Sequence, residues 1–173
     1  MKRFPTIAAA LMGLAVAGLA APAQAQPADG LTTRMVGEWQ VQCRNGFVVN
    51  GALRPLRFCT VLTAARPAGY DLIIQYSPGL LTVREFGVPL AATAQVDGGT
   101  AQNGQCQRGA CDFEDQDFNR AMASGTSLIV KASKPTAPDM KPVTVRKSLA
   151  ELRRAWAMAR DWMAGKAADL KDL

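Results

Sequence analysis

Four cysteines, Cys43, Cys59, Cys106 and Cys111, limit what this chain can fold into more than any other feature of its sequence. They follow an N-terminus that reads as an export signal: Met1-Lys2-Arg3, an Ala-rich apolar run from Ile7 to Ala21, then Ala23-Gln24-Ala25 ahead of Gln26. A charged start, an apolar stretch and a small-x-small site are the three parts of a cleavable secretory signal. The run is too short and too rich in Ala and Gly to make a good membrane anchor. No cysteine precedes Cys43, so a lipid-modified N-terminus is not expected. Cleavage between Ala25 and Gln26 is expected to deliver the mature chain to the periplasm or the outer surface. In such an oxidising compartment four thiols become two disulfides.

Pairing sequence neighbours gives Cys43–Cys59 and Cys106–Cys111, one of three possible connectivities. In the chain-entropy account the first bridge is worth about 3 kcal/mol and the second about 2 kcal/mol. A redox-active Cys106–Cys111 pair is the functional alternative, but only Arg108 stands nearby to lower a thiol pKa. Both bridges are therefore read as structural staples. The chain contains no histidine, which excludes Ser-His-Asp and Cys-His nucleophile systems and histidine-containing zinc sites. There is no Cys-x-x-Cys, and the patterns of serine hydrolases, dinucleotide sites and phosphate loops are missing as well. No cofactor is expected.

Removal of residues 1–25 leaves one domain's worth of chain, with no second apolar stretch of spanning length. Its charge is uneven: residues 26–119 hold 7 Lys+Arg against 9 Asp+Glu, and residues 120–173 hold 11 against 5. A basic C-terminal third suits an anionic partner such as lipid, polysaccharide or nucleic acid, although basic faces most often serve solubility. Nucleic acid is not an expected partner, since export separates the protein from it and no recognition motif accompanies the charge.

Residues 26–36 read as a short polar lead-in to a single domain over residues 37–165. Gly37–Cys43 alternates with period two, placing Trp39, Val41 and Cys43 on one face, which predicts a strand. A loop is expected around Asn45-Gly46 and Asn50-Gly51. Further strands are predicted at Phe58–Leu62, Tyr70–Tyr76, Leu80–Phe86 and Ala91–Val96, the last ending in the turn residues Asp97-Gly98-Gly99. Asp117–Ser124 is expected to form a helical turn or two stopped by Gly125. Thr126–Ala132 and Pro142–Arg146 supply late strands. Strands at this spacing, joined by turns, predict a mainly β protein: an antiparallel sandwich, Ig-like, carrying one C-terminal helix.

That helix is expected over about residues 148–164. Ser148-Leu149-Ala150-Glu151 fits a capping box, in which Glu151 reaches back to the cap amide. Leu149, Leu152, Trp156, Ala159 and Met163 form an apolar stripe with Trp156 at its centre, expected to dock on the sheet as a lid. Gly165 marks its end, and residues 166–173 read as a polar tail. Arg153, Arg154 and Arg160 lie off the stripe and are the candidate partner-binding surface.

The acidic run Asp112-x-Glu114-Asp115-x-Asp117 offers oxygen ligands, yet it lacks the glycine and terminal glutamate of an EF-hand loop. It is read as a solvated loop. Two weaker functional alternatives remain: a carboxylate-dependent glycan hydrolase of the periplasm resting on this run, and a Ca²⁺- or lipid-associated envelope-stability factor resting on the run or on the apolar stripe of the helix. Trp162 is the tryptophan left for sugar stacking once Trp39 and Trp156 are assigned to the core.

The order of these pieces resembles the invasion-associated locus B family of exported bacterial proteins. The resemblance runs from Trp39-x-Val41-x-Cys43 through Cys59, Gly87-Val88-Pro89-Leu90 and Val96-Asp97-Gly98-Gly99. It continues through Cys106-x4-Cys111 and the Ala121–Gly125 turn to the Ser148-Leu149 helix opening. The sequence departs from the family pattern in placing Gly109-Ala110 before Cys111 and Ala150-Glu151 after Ser148-Leu149. The resemblance implies a disulfide-stabilised β-sandwich of the bacterial envelope, linked to host-cell invasion and acting by binding a protein or an envelope polymer. It implies no catalytic residues.

Overall fold

A computed structural model describes residues 31–49 and 52–173, and the export signal read from residues 1–25 lies outside them. The strands are β1 (Leu31–Val36), β2 (Trp39–Val49), β3 (Ala52–Ala65), β4 (Leu72–Ser77), β5 (Leu80–Arg84), β6 (Ala91–Val96), β7 (Gln102–Asn103), β8 (Gln105–Gln107), β9 (Ala110–Phe113), β10 (Ser127–Ser133) and β11 (Val143–Ser148). Two α-helices, α1 (Gln116–Ser124) and α2 (Leu149–Met163), and a terminal 3-10 turn (Leu170–Asp172) complete the chain. A seven-stranded sheet in the order β1-β2-β3-β4-β5-β9-β8 faces a four-stranded one in the order β11-β10-β6-β7. All pairings are antiparallel. The mainly β sandwich expected from the strand spacing is the fold observed.

The core follows from the pleat. Side chains directly opposite one another across antiparallel strands share a face. In the large sheet Val41 pairs with Val61, Ile74 with Val83, and Leu81 with Phe113, all buried. In the small sheet Leu128 pairs with Val96 and Val130 with both Ala94 and Val145, again all buried. Cys43 and Cys59 are a directly opposed pair on the same inward face and are disulfide-bonded. Cys106 and Cys111 oppose each other across the β8–β9 hairpin and form the second bridge.

Several boundaries differ from the sequence reading, each for a physical reason. Residues 31–36 of the expected lead-in form β1, which alternates between exposed and half-buried positions as the outer strand of the large sheet. Arg34 and Thr32 of that strand hold the far end of the chain: Arg34 Nη1 donates to Leu170 O at 2.7 Å, and Thr32 Oγ1 donates to Asp169 Oδ1 at 3.0 Å. The expected polar tail is therefore packed, with Leu170 completely buried. No loop forms at Asn45-Gly46. The ladder continues through a bulge, where Asn45 pairs with Arg57 but Phe47 pairs with Arg54. Gly46, at φ +88°, faces both Pro55 and Leu56 there, and a bulge is where a strand tolerates a residue lacking an N–H. The other expected loop dipeptide, Asn50-Gly51, lies outside the described residues.

Helix α2 lies against β1, β2 and β3 and touches α1 and β10, so it covers the part of the large sheet where the first disulfide sits. The Cys59 sulfur is 3.5 Å from Ala159 O. The buried stripe is Leu149, Leu152, Ala155, Ala159 and Trp162, with Trp156 and Met163 only half-buried beside it. This corrects the expectation that Trp156 is the central anchor. Two alanines, Ala155 and Ala159, face the sheet, and a small side chain is what lets a helix backbone lie close. The helix thus rolls its small residues inward and its larger Trp156 to the margin.

Trp162 consequently belongs to the core rather than to sugar stacking. Arg57 sits 4.8 Å from its ring centre and donates to Trp162 O and Ala167 O at 2.7 and 3.1 Å. That places a cation on the carbonyl end of the helix dipole. Gly165, at φ +78°, closes the helix with bonds from Gly165 N to Trp162 O and from Lys166 N to Asp161 O, a Schellman ending.

The start of α2 is also rewired. Ser148 Oγ accepts the Glu151 amide at 3.3 Å, as a cap should. Glu151, however, does not return to the cap amide; its Oε2 accepts the Glu38 amide at 3.0 Å. The Ser148 amide instead donates to Glu38 Oε1 at 2.8 Å. Two glutamates have exchanged partners, and the exchange ties the β1–β2 turn to the β11–α2 junction.

The turn after β6 is held by charge. Asp97, at φ +48°, accepts Thr126 Oγ1 and the Ser127 amide at 2.7 Å, and the Thr126 amide at 2.8 Å. These bonds, the Thr126 hydroxyl first and the Thr126 amide next, lower its carboxyl from 3.8 to about 2. A lowered carboxyl contributes stability that is whole above its unfolded value and is lost as pH falls through the folded one. The expected loss therefore lies between 3.8 and about 2. A pH titration followed by NMR is expected to place the Asp97 carboxyl at the lower end of that window. Titration near the ordinary carboxylate value would refute this account of the turn.

Candidate functional site

The acidic run expected to form a solvated loop is largely spent on structure. Asp115 caps α1, accepting the Phe118 amide at 2.8 Å. Asp117 pairs with Arg120 one turn on, and Asp112 accepts Thr82 Oγ1 at 2.7 Å. A polar depression of about 370 Å³, lined by Gln102, Asn103, Gln105, Asp112, Phe113, Glu114 and Asp115, lies beside them. Among the described residues no three Cys, Asp or Glu side chains are grouped to hold a metal ion. No helix among them is long and apolar enough to cross a membrane.

The basic face of α2 lies elsewhere. A cleft of about 240 Å³ opens between α1, α2 and β4, lined by Tyr76, Met122, Ala123, Leu152, Arg153, Trp156, Ala157 and Arg160. The sequence dictates each wall. Gly125 ends α1 through its amide bond to Ala121 O, leaving Met122 and Ala123 on the last turn. Tyr76 is carried inward by the β4 pleat, where it pairs with Leu81 and Val61. On α2, residues 153, 156, 157 and 160 follow the i, i+3, i+4, i+7 spacing that puts side chains on one helix face.

The floor is aromatic. Tyr76 and Trp156 meet edge to face, with centroids 6.0 Å apart and planes at 86°, an arrangement worth about 0.5–1.5 kcal/mol beyond area burial. Burial raises the Tyr76 phenol above its ordinary value, so it stays protonated and can donate. Arg153 Nη1 donates to Gly125 O, which orients the guanidinium at one end of the cleft. The Arg160 guanidinium, exposed at the other end, makes no hydrogen bond or ion pair with the described residues; the neighbouring Asp161 carboxyl is lowered first by its hydrogen bond from Lys166, with the charges of Lys166 and Arg160 adding to this. Arg154 is not part of this lining. It points to solvent beside Glu151, with a closest N–O approach of 3.9 Å.

The three arginines selected from the sequence thus divide into two that flank the cleft and one that does not. Tyr76, Met122 and Ala157 were not legible as site residues. Ala157 already lies on α2, but only the pairing of β4 and the position of α1 bring Tyr76 and Met122 to it, and no local pattern announces either. No protein-family model and no curated protein matches the chain. Among solved structures it is similar to the crystal structure of invasion associated protein B from Bartonella henselae, with a TM-score of 0.49, 14% identity, and coverage of 76% of this chain and 98% of that chain.

Proposed function

We propose that this chain is an exported, disulfide-stabilised envelope protein that acts by binding an anionic partner at the outward face of α2, not by catalysis. The observation that carries the reading is the apolar, aromatic-floored cleft with Arg153 and Arg160 at its two ends. Concave apolar surface with a few convergent polar groups is the usual form of a binding site. Guanidinium groups are the side chains best suited to hold carboxylate or phosphate. Export is supported by the charged, apolar and small-x-small segments of residues 1–25, and by two disulfides with no free cysteine. In the setting that the sequence resemblance implies, the partner belongs to the envelope or to a host surface.

Two measurements test the reading. Intact mass of the exported protein is expected to show a chain beginning at Gln26; retention of residues 1–25 would contradict export by a cleaved signal. Immobilised protein is expected to retain an envelope component in a salt-sensitive way. That retention should be lost in Arg153→Glu/Arg160→Glu and kept in Arg154→Glu. Retention that ignores the first pair of changes places binding elsewhere on the molecule.

A further inference from the structure

The cleft's size, lining and charge together select its occupant. At about 240 Å³ it falls below the roughly 300–1,000 Å³ of pockets that enclose a whole drug-sized ligand. It is large enough for one bulky apolar side chain. Its polar groups are few: the two guanidiniums, the Tyr76 hydroxyl and the Trp156 indole N–H are the polar side-chain groups in the lining. A saccharide, whose hydroxyls need many fixed polar partners, would strand its own donors and acceptors against Met122, Ala123, Leu152 and Ala157. A small recess that buries one anchor side chain is instead the usual centre of a protein interface.

The charges add a spacing. Arg153 and Arg160 are separated by seven helical residues, about 10 Å along the axis, with Trp156 and Ala157 between them. In an extended chain residues i, i+2 and i+4 share one face, so an apolar side chain at i+2 can enter the cleft while acids at i and i+4, about 13 Å apart, face the helix, a spacing that two long, flexible arginine side chains can meet. A guanidinium can donate two parallel N–H bonds to a carboxylate, and Arg153, in the cleft lining, is held by its bond to the Gly125 carbonyl. Resting on the binding reading above, we propose that the cleft docks an acidic protein segment in which one large apolar side chain is flanked on both sides by carboxylates. The apolar side chain fills the recess over Tyr76 and Trp156, and the carboxylates meet Arg153 and Arg160.

The test is selection of random decapeptides displayed on phage, using the mature disulfide-bonded chain as bait and Arg153→Glu/Arg160→Glu as counter-selection. Enriched sequences are expected to carry Phe, Leu, Met or Trp with Asp or Glu on both sides. A synthetic peptide of the enriched sequence is expected to shift the Trp156 indole resonance. Its affinity should fall at least about tenfold when its acids are changed to amides or when both arginines are reversed, and stay unchanged in Arg154→Glu. Enrichment of basic or uncharged sequences, or no enrichment over the counter-selected bait, would overturn the proposal. So would binding to vesicles of equimolar phosphatidylglycerol and phosphatidylcholine that depends on the same two arginines. Treating the envelope fraction with protease separates this proposal from the broader one. If an arginine-dependent component survives digestion, the cleft binds an anionic polymer or lipid, and only the peptide assignment fails.

Discussion

Trp162→Ala is expected to destabilise the protein by about 3–5 kcal/mol, the usual cost of emptying a large aromatic site in a core. The side chain is 1% exposed and is sandwiched between the large sheet and the final turn. Its loss removes the surface on which Arg57 stacks, and it leaves the Ala168 carbonyl without the indole N–H that donates to it at 3.3 Å. Trp156→Ala removes an equally large side chain from a half-buried position at the cleft, and about 1–2 kcal/mol is expected because much of that surface is already in contact with water. Denaturant melts of the two variants read the contrast directly. A larger loss in Trp156→Ala than in Trp162→Ala would mean that α2 sits on the sheet in the rotation the apolar stripe alone favours.

That contrast shows what sequence periodicity conveys and what it leaves open. The i, i+3, i+7 pattern from Leu149 onward requires a helix with one buried side, and that helix is present with Ser148 as its cap. Within the pattern two rotations satisfy the period almost equally, one centred on Trp156 and Met163 and the other on Ala155 and Trp162. The choice belongs to packing. Close approach of the helix to β2 and β3 favours the alanines, and Arg57 on β3 supplies a partner for the Trp162 ring. The alternation of Trp39, Val41 and Cys43 was legible because period two leaves no such ambiguity. The edge strand β1 was not, since Leu31, Thr33 and Met35 stay exposed and a strand with one bare edge need not bury a face. The cleft was half-legible. Its arginines lie on one helix in one short stretch, whereas Tyr76 and Met122 reach it only through long-range pairing.

Glu38→Ala is the second substitution expected to have a large effect, about 2–4 kcal/mol. Lys147 occupies an inward position at the end of β11, opposite the core residue Leu128, with its side chain 10% exposed. Its ammonium is 2.8 Å from Glu38 Oε2, while Glu38 Oε1 holds the Ser148 amide at the start of α2. Removing the carboxylate strands a buried cation and leaves the cap amide without its acceptor, and a stranded charge costs far more than an ion pair gains. The expected value is set toward the low end because the Glu38 side chain is 36% exposed and water reaches it. Lys147→Met in the same background is expected to recover part of the loss, since no charge is then left unpaired. An ordinary surface pair costs about 0–1 kcal/mol on deletion. A loss that small in Glu38→Ala, with no recovery in the double variant, would show that the junction is held by Trp39 Nε1–H donating to Ser148 O at 2.9 Å and not by charge. Gly37 provides a third reading of the same contact. At φ +60°, a Cβ there would lie 2.0 Å from Glu151 Oε2, the oxygen that accepts the Glu38 amide. Gly37→Ala should therefore push Glu151 away and weaken the junction from its other side while leaving the Glu38–Lys147 pair in place.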